Sequence, residues 1–277
     1  MRKTKTGTYR ALTECSIMVA LSTVLSILRI IELPYGGSVT ACAMLPIVIA
    51  VYRHGGIYGI GVAAVNSLIQ FLLGMNNLAY AFSWQAAVAI VVFDYVLAFS
   101  VFALSGVFKK MFADQRTAVL LGALLASVLR YACHVIVGCT VWAGISIPTS
   151  AALLYSLSYN ATYMIPETLI LLIGVAYCFS VLDFRYPIPK RIIRRDEDKI
   201  TAVLIISAGI CVLIGLVTDV VLVFSHLQNE ESGEFDLSGI TGVNLTAIII
   251  VSAVCLATSA ILIIAAKLRE RKMANNG

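Results

Sequence analysis

Long apolar runs, separated by short clusters of basic residues, constrain this 277-residue chain more than any other feature. A helix rising 1.5 Å per residue needs about 20 apolar residues to cross a hydrocarbon core. That template predicts eight spans, near 11–32, 39–53, 57–75, 84–108, 117–144, 151–182, 200–226 and 243–266. The second is short and is interrupted by Pro46. The runs are too long and unbroken for the alternating strands of a transmembrane barrel. With 60% hydrophobic and 13% charged residues, the chain has too few polar side chains to cover a water-facing surface. This excludes a soluble enzyme, a secreted disulfide scaffold and a disordered regulator. The expected fold class is all-α: a polytopic membrane protein with a six-helix block and a two-helix C-terminal extension.

The basic residues predict how the spans are oriented. All but two of the 20 Lys and Arg residues fall at alternate span ends, around Arg2–Arg10, Arg53, Lys109–Arg116, Arg185–Lys199 and Lys267–Lys272. Basic clusters favour the cytoplasmic side, so both termini are expected inside. The exceptions, Arg29 and Arg130, lie within spans. The last outer loop carries Glu230, Glu231, Glu234 and Asp236. The net charge of +5 reflects these clusters, so the expected partner is a lipid bilayer and no nucleic acid. The first apolar run is too long for a signal peptide and lacks a small-residue cleavage site.

The segment Asp183–Lys199 (DFRYPIPKRIIRRDEDK) reads as a charged cytoplasmic linker. It divides a membrane domain, 1–182, from an extension, 200–277, that ends in a cytoplasmic tail. No inverted repeat is evident. Cys15, Cys42, Cys133, Cys139, Cys178, Cys211 and Cys255 all lie in apolar stretches without a CxxC pair. They read as inert buried thiols, and no metal site is expected.

Ionisable groups inside spans are costly, and each calls for a reason. Here they are Asp94, Arg130, His134, Glu167 and Asp219, with Asn66, Gln70 and Asn160 as buried amides. The orientation places Asp94, His134, Tyr155 and Asn160 at similar depth in the outer half of spans four to six. Trp84, Tyr95 and Trp142 accompany them. Such convergence suits a pocket open to the outside. The aromatic faces suit a flat cation, Asp94 a positive charge or amino group, and Asn160 a heterocycle edge. Each residue taken alone also has a plainer role. Trp84 and Trp142 fit an interfacial belt, His134 fits ordinary packing, and Asp94 could pair with Arg130. Glu167, beside Pro166, could bond backbone freed by the proline, and Asp219 has no evident partner. No phosphate-binding loop, HExxH motif or paired-aspartate motif is present, so no catalytic residue and no enzyme are expected.

Four ordered blocks carry a family resemblance: LPYGGSVTACAMLPIVIAVYRHGG (33–56), FDYVLAF (93–99), RYACHVIVGCTVWAG (130–144) and YSLSYNATYMIPE (155–167). Residues from about 10 to 182 resemble the thiamine-specific S-component of energy-coupling-factor (ECF) transporters. The resemblance implies a six-helix subunit of a prokaryotic plasma membrane that captures thiamine from outside. Such a subunit delivers the vitamin with a membrane coupling subunit and two cytosolic ATPases. The expected ligand is thiamine, with no bound cofactor.

By resemblance, Asp94 binds the aminopyrimidine and is followed by Tyr95. His134, Trp142, Tyr155 and Asn160 complete the site, and Trp84 takes the place of an aromatic preceding the acidic motif. The family carries Glu where this chain has Asp94, one methylene shorter. That implies a looser contact, a bridging water or a related ligand such as a thiamine precursor. Tyr35, Gly36 and Gly37 suit a lid or a plain tight turn. Ser16 and Ala20 mark a small-residue face on span one, suited to docking on the coupling subunit or to internal packing. Spans seven and eight lie beyond the resemblance. The alternatives are a carrier for another heterocycle, ion-driven transport, or a membrane assembly or regulatory protein.

Overall fold

The computed structural model describes residues 5–33, 36–81, 83–140, 150–192, 199–224, 226 and 241–276. The chain divides into two compact units, Met1–Arg191 and Ile192–Gly277. It is an all-α polytopic membrane protein. Among the described residues, six helices are long and apolar enough to cross a membrane.

The first unit opens with α1 (Lys5–Ile27), which is free of proline. A short antiparallel hairpin follows, β1 (Arg29–Glu32) and β2 (Ser38–Thr40), with Ile31 opposite Val39 and Glu32 opposite Ser38. The expected second span, 39–53, is therefore not one helix. Its start is strand and turn, and only α2 (Leu45–His54) is helical, with proline in its first turn. Proline is tolerated there because the first N–H groups of a helix have no intrahelical partner. Ten residues rise only about 15 Å, half the hydrocarbon thickness. Gly55 and Gly56, at φ +53° and +49°, turn the chain directly into α3 (Gly56–Leu73).

A 3-10 turn (Met75–Tyr80) leads to α4 (Trp84–Lys110), a continuous helix of mixed geometry. It starts on Ser83, whose hydroxyl accepts from the Ala86 N–H. Next come α5 (Gln115–Thr140) and α6 (Ser150–Val181), with Pro166 inside α6. Asp114 caps α5, accepting from the Thr117 N–H at 2.9 Å and its hydroxyl at 2.7 Å. Those bonds hold its carboxyl below the usual aspartate range.

The expected linker begins as a second small hairpin, β3 (Leu182–Asp183) paired with β4 (Lys190–Arg191). It belongs to the first unit. The side chain and backbone N–H of Arg185 hold the Asp183 carboxyl below its ordinary range. The second unit is a helix pair, α7 (Lys199–Phe224) and α8 (Leu245–Asn276), at the expected spans seven and eight. Gly215 allows their close approach: a Cβ there would lie 2.8 Å from the Cys255 Cβ. Asp219 finds a partner in this pair, accepting from the Ser252 hydroxyl.

The core of the first unit is built around α2, with Ile47, Val48, Val51, Phe102, Val119, Val175 and Phe179 fully buried. Polar side chains bind α1 to α3: Ser22 donates to Asn66 Oδ1 at 3.0 Å, and Gln70 Nε2 donates to Ser26 Oγ at 2.7 Å. In an apolar interior each such bond has no water to compete with it.

One end of the unit gathers several of the basic segments. Arg53 donates to the carbonyls of Phe184 (3.1 Å), Tyr186 (3.3 Å) and Pro187 (2.8 Å), and pairs with Glu14. Arg10 also donates to Pro187, Lys109 to the Tyr52 carbonyl, and Gln115 to the Phe179 and Leu182 carbonyls. Within the first unit, the predicted basic segments around Arg10, Arg53, Lys109–Arg116 and Arg185 thus meet at one end. All seven cysteines are free thiols.

Candidate functional site

The interior of the first unit is organised around α4, which passes into π-helix over Ile90–Leu97. Such wider turns recur at functional sites because they re-aim side chains within a helix. This one carries Asp94 and Tyr95. Asp94 Oδ1 lies 2.9 Å from His134 Nδ1 on α5. Arg130, one helical turn earlier, faces the same way and donates from Nε to His134 Nε2 at 3.3 Å.

Asp94 does not pair with Arg130. The Arg130 Nη1 lies 3.2 Å from Glu167 Oε2 on α6, and its guanidinium sits 4.4 Å above the Phe99 ring. Glu167 in turn accepts from the Thr40 hydroxyl of β2 at 3.0 Å. Its carboxylate therefore bonds side chains, in place of the proline-freed backbone considered above. Arg130 and Glu167 are each only 7% exposed. An unpaired charge at this depth would carry a large solvation penalty, which their mutual attraction offsets in part. Four elements thus contribute to one polar chain, Thr40–Glu167–Arg130–His134–Asp94. A cleft of about water size beside it is lined by Cys42, Ser127, Arg130, Glu167 and Thr168.

An aromatic ladder borders this chain. Tyr155, Tyr159 and Tyr163 recur every four residues on one face of α6. The first two rings are parallel at 6.4 Å, and the second pair meets edge-on at 5.8 Å. Tyr163 then meets the His134 ring at 6.1 Å and donates to Asn160 Oδ1 at 2.6 Å. Asn160 is buried and donates to the Ser156 carbonyl at 2.9 Å. Two glycines admit these contacts. A Cβ on Gly138 would fall 2.2 Å from Ser156 Oγ, and one on Gly37 would fall 2.8 Å from the Tyr163 ring. The Gly37 N–H donates to the Tyr159 hydroxyl at 3.3 Å, fastening the first hairpin to the ladder.

The structure therefore joins Asp94 and His134 directly and Asn160 to them through Tyr163, with Tyr155 at the far end of the tyrosine ladder. It places Tyr95 differently, buried between Phe71 and Phe99, with its hydroxyl donating to the Gly74 carbonyl and accepting from Asn77. Trp84 stands at the start of α4 and is 73% exposed. Trp142 and the lid candidate Tyr35 lie outside the described residues. Ser16 and Ala20 lie on the exposed face of α1, while Cys15 and Val19 point inward. Sequence reasoning missed Tyr159, Tyr163 and Thr40. The four-residue tyrosine spacing was the available signal for the first two.

This arrangement sets aromatic faces and hydrogen-bonding side chains beside a carboxylate. Among the described residues, no group of three or more His, Cys, Asp or Glu side chains is placed to hold a metal. Fold and interior define a multi-pass membrane protein with a polar, tyrosine-lined centre. Residues 12–183 match the family described as "Thiamine transporter protein (Thia_YuaJ)", and the chain belongs to that family. It is a family of transport proteins. The thiamine transporter ThiT of Bacillus subtilis (strain 168) is 30% identical over 197 residues, covering 67% of this chain and 95% of the relative. A solved structure of ThiT from Listeria monocytogenes is 25% identical, covers 61% of this chain and 92% of that one, and aligns with a TM-score of 0.48.

Proposed function

We propose that this chain is the substrate-binding subunit of an ECF-type transporter, capturing thiamine from outside at the pocket of Asp94, His134, Tyr155 and Asn160. Family membership supports thiamine as the ligand. The observation that carries the reading is the charge count of the polar chain. The chain holds two carboxylates, Asp94 beside His134 and Glu167 beside Arg130, and a single guanidinium. With His134 neutral, the cluster has a formal charge of −1, which a monocation such as the thiazolium neutralises. Partial desolvation strengthens that attraction well beyond its value in water.

The tyrosine ladder and Trp142 provide faces for stacking, and Trp84 stands near the entrance. Tyr95 supports the site by bracing α4 against α3. Asn160 reaches the pyrimidine by giving up its Tyr163 partner, so that its Oδ1 accepts from the ligand's amino group. The ligand is bound and released without covalent chemistry or a cofactor.

Energy comes from a membrane coupling subunit and two cytosolic ATPases, with the exposed Ser16–Ala20 face of α1 as the docking surface. In this reading the basic end of the bundle faces the cytoplasm of a prokaryotic cell and both termini are inside. Residues 200–277 are an extension, joined through 183–199, that takes no part in capture.

Two experiments test the proposal. Thiamine should quench the tryptophan fluorescence of the purified chain at submicromolar concentration, and Asp94→Ala should move the quench to roughly 10- to 150-fold higher concentration. Uptake by cells expressing the chain should require co-expressed ATPases. Uptake that proceeds without them would assign the energy to an ion gradient.

A further inference from the structure

A guanidinium has five N–H donors and no acceptor. Arg130 Nε points at His134 Nε2 across 3.3 Å, so that ring nitrogen must be the acceptor and carry no proton. The single proton of a neutral imidazole then sits on Nδ1, which donates to Asp94 Oδ1 at 2.9 Å. Arg130 and Asp94 therefore fix His134 from opposite sides: Asp94 takes the Nδ1 proton as acceptor, and Arg130 keeps Nε2 free of a proton, so the ring meets Asp94 as a neutral Nδ1–H donor. The partner of one ring nitrogen commonly sets the role of the other.

Arg130 needs an anchor to do this. A free arginine side chain samples many rotamers, and several of them turn Nε away from His134. Here the guanidinium is held on two sides, by the Glu167 carboxylate at 3.2 Å and by the Phe99 ring at 4.4 Å. Glu167 has its own stay in the Thr40 hydroxyl at 3.0 Å. Its Oε2 is buried and makes no hydrogen bond, so its role on that side is electrostatic.

We infer that Glu167, steadied by Thr40, is a positioning residue for ligand capture: it sets Arg130 so that His134 is locked as the Nδ1–H tautomer and presents Asp94 as an oriented carboxylate. The inference rests on the reading of Asp94 as the ligand's carboxylate. Glu167 itself touches no ligand. Its effect passes through three side chains, each joined to the next by a measured contact.

The test reads the tautomer directly, without ligand. The full chain has three histidines, so ¹⁵N-histidine labelling of the detergent-solubilised protein gives few signals, and His134→Gln assigns the relevant pair. The expected spectrum of the wild-type protein is a protonated Nδ1 and an unprotonated Nε2 on His134. Glu167→Gln keeps the side-chain shape and removes the charge. It should weaken the tautomer preference, with proton density appearing on Nε2, and weaken thiamine binding about tenfold, the low end for one bond to a charged group. Glu167→Asp should restore part of both.

An Nε2–H tautomer in the wild type would overturn the inference. So would a Glu167→Gln protein whose tautomer and thiamine affinity both match the wild type, since a purely structural Glu167 would lower only thermal stability. If Glu167→Gln does not fold, Thr40→Val removes the stay and keeps the charge. A partial loss of the tautomer preference then supports the inference, and an unchanged spectrum overturns it. A chain that shows the Nδ1–H signal and its Glu167 dependence yet binds no thiamine would refute the ligand reading and leave the positioning intact.

Discussion

Arg53–Glu14, at one end of the bundle, and Arg130–Glu167, in its interior, are both arginine–glutamate pairs shielded from solvent, yet their remaining donors go to different places. Arg53 donates to the backbone carbonyls of Phe184, Tyr186 and Pro187. Its bonds stay at one end, tying α1 and α2 to the hairpin that follows α6. Arg130 passes its Nε–H to an imidazole, which faces a carboxylate. The first is a clasp; the second is a relay that ends on Asp94. The identity of the pair says little about its role. What the spare N–H groups reach says more.

The contrast is broken most severely at the clasp. Arg53→Met leaves Glu14 with His54 as its remaining partner at 3.1 Å and takes this donor from the Phe184 and Tyr186 carbonyls, while Pro187 keeps Arg10. Thermal or denaturant unfolding in detergent should show a loss of about 3–5 kcal/mol, the usual cost of removing one partner of a buried pair. The fraction that stays folded should bind thiamine with unchanged affinity. Asp94→Ala is the converse. A lost charge-assisted bond of about 1.5–3 kcal/mol corresponds to roughly a 10- to 150-fold rise in Kd, measured by titration calorimetry. Stability should change far less.

Smaller effects sharpen the same contrast. In the second unit, Ser252→Ala removes the hydroxyl that binds Asp219 and should cost about 1 kcal/mol of stability, with no change in thiamine affinity. The smallest effect is one of pH. Asp114 is bound as a carboxylate by Thr117, so its folded-state pKa lies below the unfolded value. Its stabilising contribution is complete above the ordinary aspartate pKa and fades as pH falls through the lower, folded value. Asp114→Asn should remove that acid-side dependence at a cost of about 1 kcal/mol or less, visible in melting curves taken from neutral to acid pH.

Much of this contrast could be read from residues alone. Asp94, His134 and Asn160 stood out because polar groups in apolar runs are rare enough to demand partners, and the span order placed them at one depth. Which partner each one takes was hidden. Whether Arg130 meets Asp94 or Glu167 depends on how α5 and α6 are rotated about their axes, which linear hydropathy does not encode. Thr40 was invisible for a related reason. Residues 29–40 look like the end of one span and the start of the next, and only the pairing of Ile31 with Val39 makes them a hairpin. Pro46 flagged the irregular second span correctly. Tyr95 shows the limit of adjacency: next to Asp94 in sequence, it turns to Gly74 and Asn77 because successive residues of a helix face different directions.

The central claim is that thiamine is held by the interior relay and not by the clasp. Titration calorimetry of thiamine into the wild-type protein, Arg53→Met and Asp94→Ala, with a melting curve for each, tests it directly. The account predicts submicromolar binding by wild type and by folded Arg53→Met, and a Kd raised roughly 10- to 150-fold in an Asp94→Ala protein of near wild-type stability. Wild-type affinity in Asp94→Ala, or no binding of thiamine or its precursors by the wild-type chain, would contradict it.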